Sequence, residues 1–175
     1  MRWESLFADM EAQLAAAREQ GLRDEVAELT RAERAQVTLV DRLRATRGGT
    51  LRVLLRDGQT VGGAVVEAAP QWVLVASDAT RRVLVPATAV TGVVGLSALA
   101  APPPGTAERA LSLGHALRAL ARDRAEVRVD ASGVRVAGRV ERVGADHVDV
   151  LPADAGPGGA AWALRFDALM AVRSG

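Results

Sequence analysis

Residues 51–65 read LRVLLRDGQTVGGAV, and residues 126–140 read EVRVDASGVRVAGRV. Apolar residues alternate with polar ones along both stretches, which is the pattern of half-buried β-strands. The two stretches share glycines, valines and a following strand at a constant separation of 75 residues: Gly58 and Gly133, Val61 and Val136, Gly63 and Gly138, Trp72 and His147. The sequence therefore predicts two copies of one small β unit.

The alternation predicts five short strands in each copy. Asp57-Gly58 gives a tight-turn signal between the first two strands, and Gly62-Gly63 supplies the backbone freedom that a strongly bent second strand needs. In the first copy the remaining strands are expected near 72–75, 82–85 and 90–94, with a short turn over 86–89. In the second copy the strands are expected at 126–131, 134–143, 147–152, 160–166 and 170–173.

A helix followed by five short bent strands, with Asp57-Gly58-x-x-Val61-x-Gly63-x-Val65 at the first hairpin, resembles the Sm/LSm-like small β-barrels. The resemblance covers residues 38–95 and 106–173. It implies a mainly β protein with two tandem five-stranded Sm-like or SH3-like barrels, each preceded by a helix. The residues with which the family holds a uridine base are missing, because Ala69, Trp72 or Val73, and Leu84-Val85-Pro86 occupy the corresponding positions.

The remaining segments predict helices and one linker. Residues 1–46 are expected to form an N-terminal helical segment with a break at Gly21, followed by a first barrel over 47–97. Residues 98–105 contain Pro102-Pro103-Pro104-Gly105 and predict a short stiff linker. A helix capped by Thr106 and a second barrel then fill 106–175. An amphipathic stripe near the N-terminus could pack within the chain or against a second copy; its residues are Trp3, Leu6, Phe7, Met10 and Leu14.

Composition narrows the function classes. The chain has no cysteine, which excludes disulfides, thiolate nucleophiles and Cys-based zinc sites. All 22 basic residues are Arg. The chain contains no Lys, Ile, Asn or Tyr, as expected of a protein from a GC-rich bacterium. Its net charge is only +1. The N-terminal stretch is too acidic for a secretory signal, so a cytoplasmic location is expected. His115 and His147 have no partner motif, so we expect no catalytic residue, metal or cofactor.

Two groups of residues are candidates for binding nucleic acid or a protein partner. In the first copy, Trp72 is a possible stacking platform or a plug of the barrel end, and Arg81-Arg82 is a possible phosphate contact or a solvated loop. In the second copy, Arg142 and His147 occupy the corresponding region, and the other arginines there are expected to form neutral cross-strand pairs. The sequence thus predicts a non-enzymatic protein that binds RNA or single-stranded nucleic acid. The alternative is a protein-interaction or oligomerisation module that uses the N-terminal stripe.

Overall fold

The computed structural model of the chain describes residues 2–174, and for residues 2–9, 11, 12, 15 and 33 it describes the backbone alone. The chain divides between Val37 and Thr38 into two compact units. The first unit contains a single long helix, α1 (Arg2–Gln36). The second unit contains all the strands and the remaining helices of the described residues. No helix within 2–174 combines the length and the apolar character needed to cross a bilayer.

The predicted helix break at Gly21 is wrong, because α1 continues through it. A single exposed glycine costs a helix about 1 kcal/mol relative to alanine, which is too little to end one of this length. The helical hydrogen bonding stops instead at Val37-Thr38, just before the short helix α2 (Leu39–Ala45). Thr38 caps α2: its hydroxyl accepts the Asp41 N–H, and the Asp41 carboxylate accepts the Thr38 N–H.

Within residues 2–174, ten strands follow the predicted alternation. In the first half of the sheet they are β1 (Thr50–Leu55), β2 (Thr60–Ala69), β3 (Trp72–Ala76), β4 (Arg82–Pro86) and β5 (Val90–Val94). In the second half they are β6 (Glu126–Ala131), β7 (Val134–Val143), β8 (His147–Pro152), β9 (Trp162–Arg165) and β10 (Leu169–Ser174). A single 3₁₀ turn precedes the last strand of each half, at Ala87–Ala89 and Phe166–Ala168.

The strands form one continuous antiparallel sheet in the order β5-β1-β2-β3-β4-β10-β6-β7-β8-β9. Within each half, the fifth strand lies at one edge beside the first strand. The second, third and fourth strands then follow in chain order. The prediction of a mainly β protein with an N-terminal helix is confirmed. Two separate barrels are not confirmed, because β4 of the first half pairs directly with β10 of the second half.

Gly63 and Gly138 lie at equivalent bends in β2 and β7. A Cβ on Gly63 would lie 2.0 Å from the Ala76 carbonyl oxygen, and Gly63 has a φ of +152°. A Cβ on Gly138 would lie 2.0 Å from the Leu151 carbonyl oxygen. Only glycine allows the neighbouring strand to approach so closely, so both bends require the residue that the sequence supplies.

Two short helices precede the second half, where the sequence predicted one. They are α3 (Thr106–Ala110) and α4 (Leu113–Arg122), and the Ser112 hydroxyl caps α4 by accepting the His115 N–H. Gly105, not Thr106, is the first cap, and its N–H donates to the Glu108 carboxylate. The buried Arg44 guanidinium of α2 donates to the Pro102 carbonyl and to Glu108. The Pro-rich segment is thereby held against α2.

Candidate functional site

The pairing of β4 with β10 joins the two halves of the sheet. Leu84 lies opposite Val172, Val83 opposite Arg173, and Arg82 opposite Ser174. The cores also cross this boundary. Ala69, Trp72 and Leu84 of the first half pack in the core of the second half, while Met170 and Ala171 of β10 pack in the core of the first. We call this contact the junction.

A groove of about 520 Å³ runs over the junction. The loop between β3 and β4 forms one wall, and β6, β7 and β10 form the other. Four guanidinium side chains and one carboxylate line it, namely those of Arg81, Arg82, Arg128, Arg173 and Glu126. This surface, the junction groove, therefore has an excess of positive charge although the chain as a whole is almost neutral.

The two predicted arginines, Arg81 and Arg82, are held by a tight loop. The Asp78 carboxylate accepts the backbone N–H groups of Thr80 and Arg81 at 2.9 and 2.8 Å. These hydrogen bonds hold the pKa of Asp78 below its usual value of 3.8, with the Arg81 N–H as the largest cause. The Arg82 guanidinium donates to the Asp78 carbonyl at 3.0 Å. Arg81 stays largely exposed, with its Nε 3.8 Å from Asp78, so its charge is available to a ligand.

The second wall is organised around Asp130, whose side chain is almost fully buried. Its carboxylate is 2.7 Å from Arg135 Nε and 4.0 Å from Arg128 Nε, and it also contacts the Arg173 guanidinium. One carboxylate therefore faces three guanidinium groups. Burial, followed by the nearby Arg128 charge, lowers the pKa of Arg173 from its usual value. Of these side chains, Arg128 and Arg173 line the junction groove beside Glu126, whereas Asp130 and Arg135 do not, so this wall presents two guanidinium groups and one carboxylate to a negatively charged ligand.

Sequence reasoning missed the contribution of Arg128 and Arg173 to this surface. Arg128 was expected to be neutralised by acidic neighbours, and Arg173 had no local feature that distinguished it. Their contribution follows from the pairing of β10 with β4, because that pairing brings the loop between β3 and β4 close to Arg128 and Arg173. Local sequence carries no trace of such a long-range register.

Trp72 does not face the junction groove. The residue is 7% exposed, and its indole N–H donates to the Leu111 carbonyl at 2.9 Å. The ring face is therefore covered and is not available to stack on a base. Of the two interpretations of Trp72, the burial supports a packing residue. Trp72 is the first residue of β3, whereas Arg82 pairs with the last residue of β3. The candidate binding residues of the first copy therefore lie at opposite ends of this strand.

Arg142 and His147 lie at the hairpin between β7 and β8, away from the junction groove lining. Arg142 is exposed and is paired across the strands with Asp149. His147 Nδ1 lies 2.8 Å from the Asp146 carboxylate. That hydrogen bond is the largest cause that lowers the pKa of Asp146. The structure thus places these two residues together, but not with Arg81 and Arg82.

The predicted N-terminal interface is described in part. The side chains of Trp3, Leu6 and Phe7 lie outside the described residues. Met10 and Leu14 are each about half exposed on α1. Among the side chains that the structure describes, no three His, Asp or Glu residues cluster in a way that could hold a metal ion.

The chain matches no known protein-family model. A search of curated proteins also returned no significant match. The resemblance to Sm-like barrels therefore stays a prediction.

Proposed function

We propose that this protein binds RNA or another single-stranded nucleic acid through phosphate contacts in the junction groove, as a non-enzymatic Sm-like scaffold. The observation that carries the proposal is the convergence of four guanidinium groups from both halves of the sheet on one open groove. Arginine forks match phosphate geometry, and phosphate neutralisation supplies most of the affinity in sequence-independent binding. The buried Trp72 argues against base stacking at that residue, so the proposal rests on charge.

The test is the salt dependence of binding. Fluorescence anisotropy with a labelled single-stranded RNA homopolymer should show affinity that falls with salt. For single strands the slope of log K against log salt is about −0.7 for each neutralised phosphate, so four contacts give about −3. Arg81→Gln/Arg82→Gln should make the slope shallower by about 1.4.

A matched control removes the same charge elsewhere. Arg118 and Arg122 of α4 are exposed and do not line the junction groove. Arg118→Gln/Arg122→Gln should therefore leave the slope within error of wild type. Equal losses in both double variants, or no binding by wild type at low salt, would remove the proposal.

A second candidate is self-association through α1. Leu22, Val26 and Leu29 are each more than half exposed, and their i, i+4, i+7 spacing places them on one helix face. Leu22→Glu/Val26→Glu should lower the native mass of the full chain if this stripe joins two copies. Ala27→Glu adds a charge outside the stripe and serves as the control; an equal loss of mass there would contradict the assignment.

A further inference from the structure

A second depression adjoins the junction groove in the second half of the sheet. It has a volume of about 400 Å³ and lies where β8 separates from β7. The ladder between these strands ends where Gly138 lies opposite Pro152, so the residues of β7 before Gly138 face an opening on this side. The junction groove and this depression share Ala137 and Ala153 in their linings. They therefore form one continuous surface, and we call the second part the Trp162 pocket.

The Trp162 pocket contains an exposed aromatic ring. Trp162 is the first residue of β9, and it is 51% exposed. It lines the pocket together with the apolar side chains of Val134 and Pro152. A tryptophan ring that is open to solvent beside apolar neighbours offers a flat surface on which another ring can stack. Trp162 therefore has the accessibility that base stacking needs and that Trp72 lacks.

The charges of the two connected surfaces differ. Four arginines line the junction groove, whereas Arg135 is the one basic residue that lines the Trp162 pocket. The Arg135 guanidinium is held by Asp130, with its Nε 2.7 Å from the carboxylate, and the exposed Asp154 adds a negative charge to the pocket. The groove thus favours an anion, while the Trp162 pocket favours an uncharged ring. This division matches the phosphate and the base of a nucleotide.

The two surfaces are close enough to contact one strand of nucleic acid. Three strand steps separate Arg128 on β6 from Trp162 on β9, since β6 pairs with β7, β7 with β8 and β8 with β9. Neighbouring strands lie about 4.8 Å apart, so the two residues are about 14 Å apart along the sheet. Folds that bind single strands contact about 4–16 nucleotides, which is more than enough to cover this distance.

We propose that the Trp162 ring stacks on an unpaired base of the same strand whose phosphates contact the junction groove. This inference rests on the proposed function and deepens it, because it restricts the ligand to a strand with accessible bases. The faces of paired bases in a duplex are covered by their neighbours, so a duplex offers only its phosphates to this surface. Stacking accepts any of the bases, since each has an aromatic face.

The test compares two labelled strands that carry the same phosphates: an adenine homopolymer and a strand of equal length without bases. For the full chain, fluorescence anisotropy should show about 5- to 150-fold tighter binding of the adenine strand, the range expected of one stacked base. Trp162→Leu should remove most of this difference, and Trp162→Phe, which keeps a ring, should retain more of it. The control Leu54→Ala removes an exposed apolar side chain that lines neither surface, and it should leave the difference unchanged.

The outcomes separate this proposal from the phosphate contacts. Wild type that binds neither strand at low salt removes both proposals. Wild type that binds both strands equally, with an affinity that falls with salt, supports the phosphate contacts and overturns the stacking. A difference that survives Trp162→Leu, or one that is lost equally in Leu54→Ala, also overturns the stacking. The slope of affinity against salt should be the same in all three variants, because no arginine is changed.

Tryptophan fluorescence gives a second measurement. The adenine strand should quench the emission of wild type but not that of Trp162→Phe, because the remaining described tryptophan, Trp72, is covered. The strand without bases should quench neither protein. Equal quenching of wild type and Trp162→Phe refutes the proposal. Native mass should be the same for wild type and Trp162→Leu; a lower mass in the variant would show that a second copy covers the ring, which also refutes the proposal.

Discussion

Gly63→Ala offers the sharpest test of the bent sheet. The added methyl group would lie 2.0 Å from the Ala76 carbonyl oxygen and 2.7 Å from its carbon, both of which are backbone atoms that cannot rotate away. The φ of +152° also lies in a region that alanine rarely adopts. The neighbouring Gly62 is the natural control, since its added methyl group would meet only the Leu51 carbonyl oxygen at 3.8 Å.

The expected loss follows from these two effects. Forcing an extra methyl group into a packed interior costs about 1–3 kcal/mol, and a strained backbone region costs about 1–3 kcal/mol more. The free energy of unfolding should therefore fall by about 2–6 kcal/mol. In a chain of this size each kcal/mol lowers Tm by about 2–4 °C, so the Tm of Gly63→Ala should fall by at least about 4 °C.

Urea and thermal unfolding followed by far-ultraviolet circular dichroism would measure both variants against wild type. Gly62→Ala should unfold within about 1 kcal/mol of wild type. If Gly63→Ala unfolded together with Gly62→Ala, the close approach of β2 and β3 at this bend would be wrong, and with it the curvature that brings the loop after β3 to the junction.

Three further outcomes are expected. Asp130→Asn leaves three guanidinium groups around a neutral side chain and should cost about 1–3 kcal/mol in urea unfolding; stability equal to wild type would contradict the role of Asp130. Trp72→Phe leaves the Leu111 carbonyl without its donor and should cost about 1–3 kcal/mol by the same measurement, and a neutral result would contradict the burial of this hydrogen bond. The pKa of Asp41 is lowered chiefly by the Thr38 hydroxyl, so its contribution to stability is complete above pH 3.8 and is lost as the pH falls through the lowered pKa. Asp41→Asn should flatten the acid limb of a stability-against-pH curve, and an unchanged limb would show that the Thr38–Asp41 cap is not formed.

Much of the fold is predictable from local pattern. The alternation of apolar residues and the hairpin glycines place the strands near their observed bounds, because side chains of a half-buried sheet must alternate between core and solvent. The separation between the two copies differs by one residue along the first hairpin. Leu51 pairs with Gly63 as Val127 pairs with Gly138, so the first strands of the two halves correspond at a separation of 76 residues, while the rest of the hairpin keeps 75.

The candidate site is less predictable because it depends on contacts between distant segments. Arg81 and Arg82 could be selected from the sequence as a pair of basic residues between two predicted strands, whereas Arg173 joins them only through the pairing of β10 with β4. Trp72 is buried because the connection between α3 and α4 provides a carbonyl for its N–H. Such tertiary partners leave no mark on the few residues around the side chain.

The covalent connection between the two halves has a consequence for concentration. Because the linker between β5 and α3 tethers β4 and β10, their pairing is a unimolecular event that dilution cannot dissociate. The junction groove is formed by arginines from both halves of one chain, so it stays assembled at concentrations at which separate subunits would dissociate.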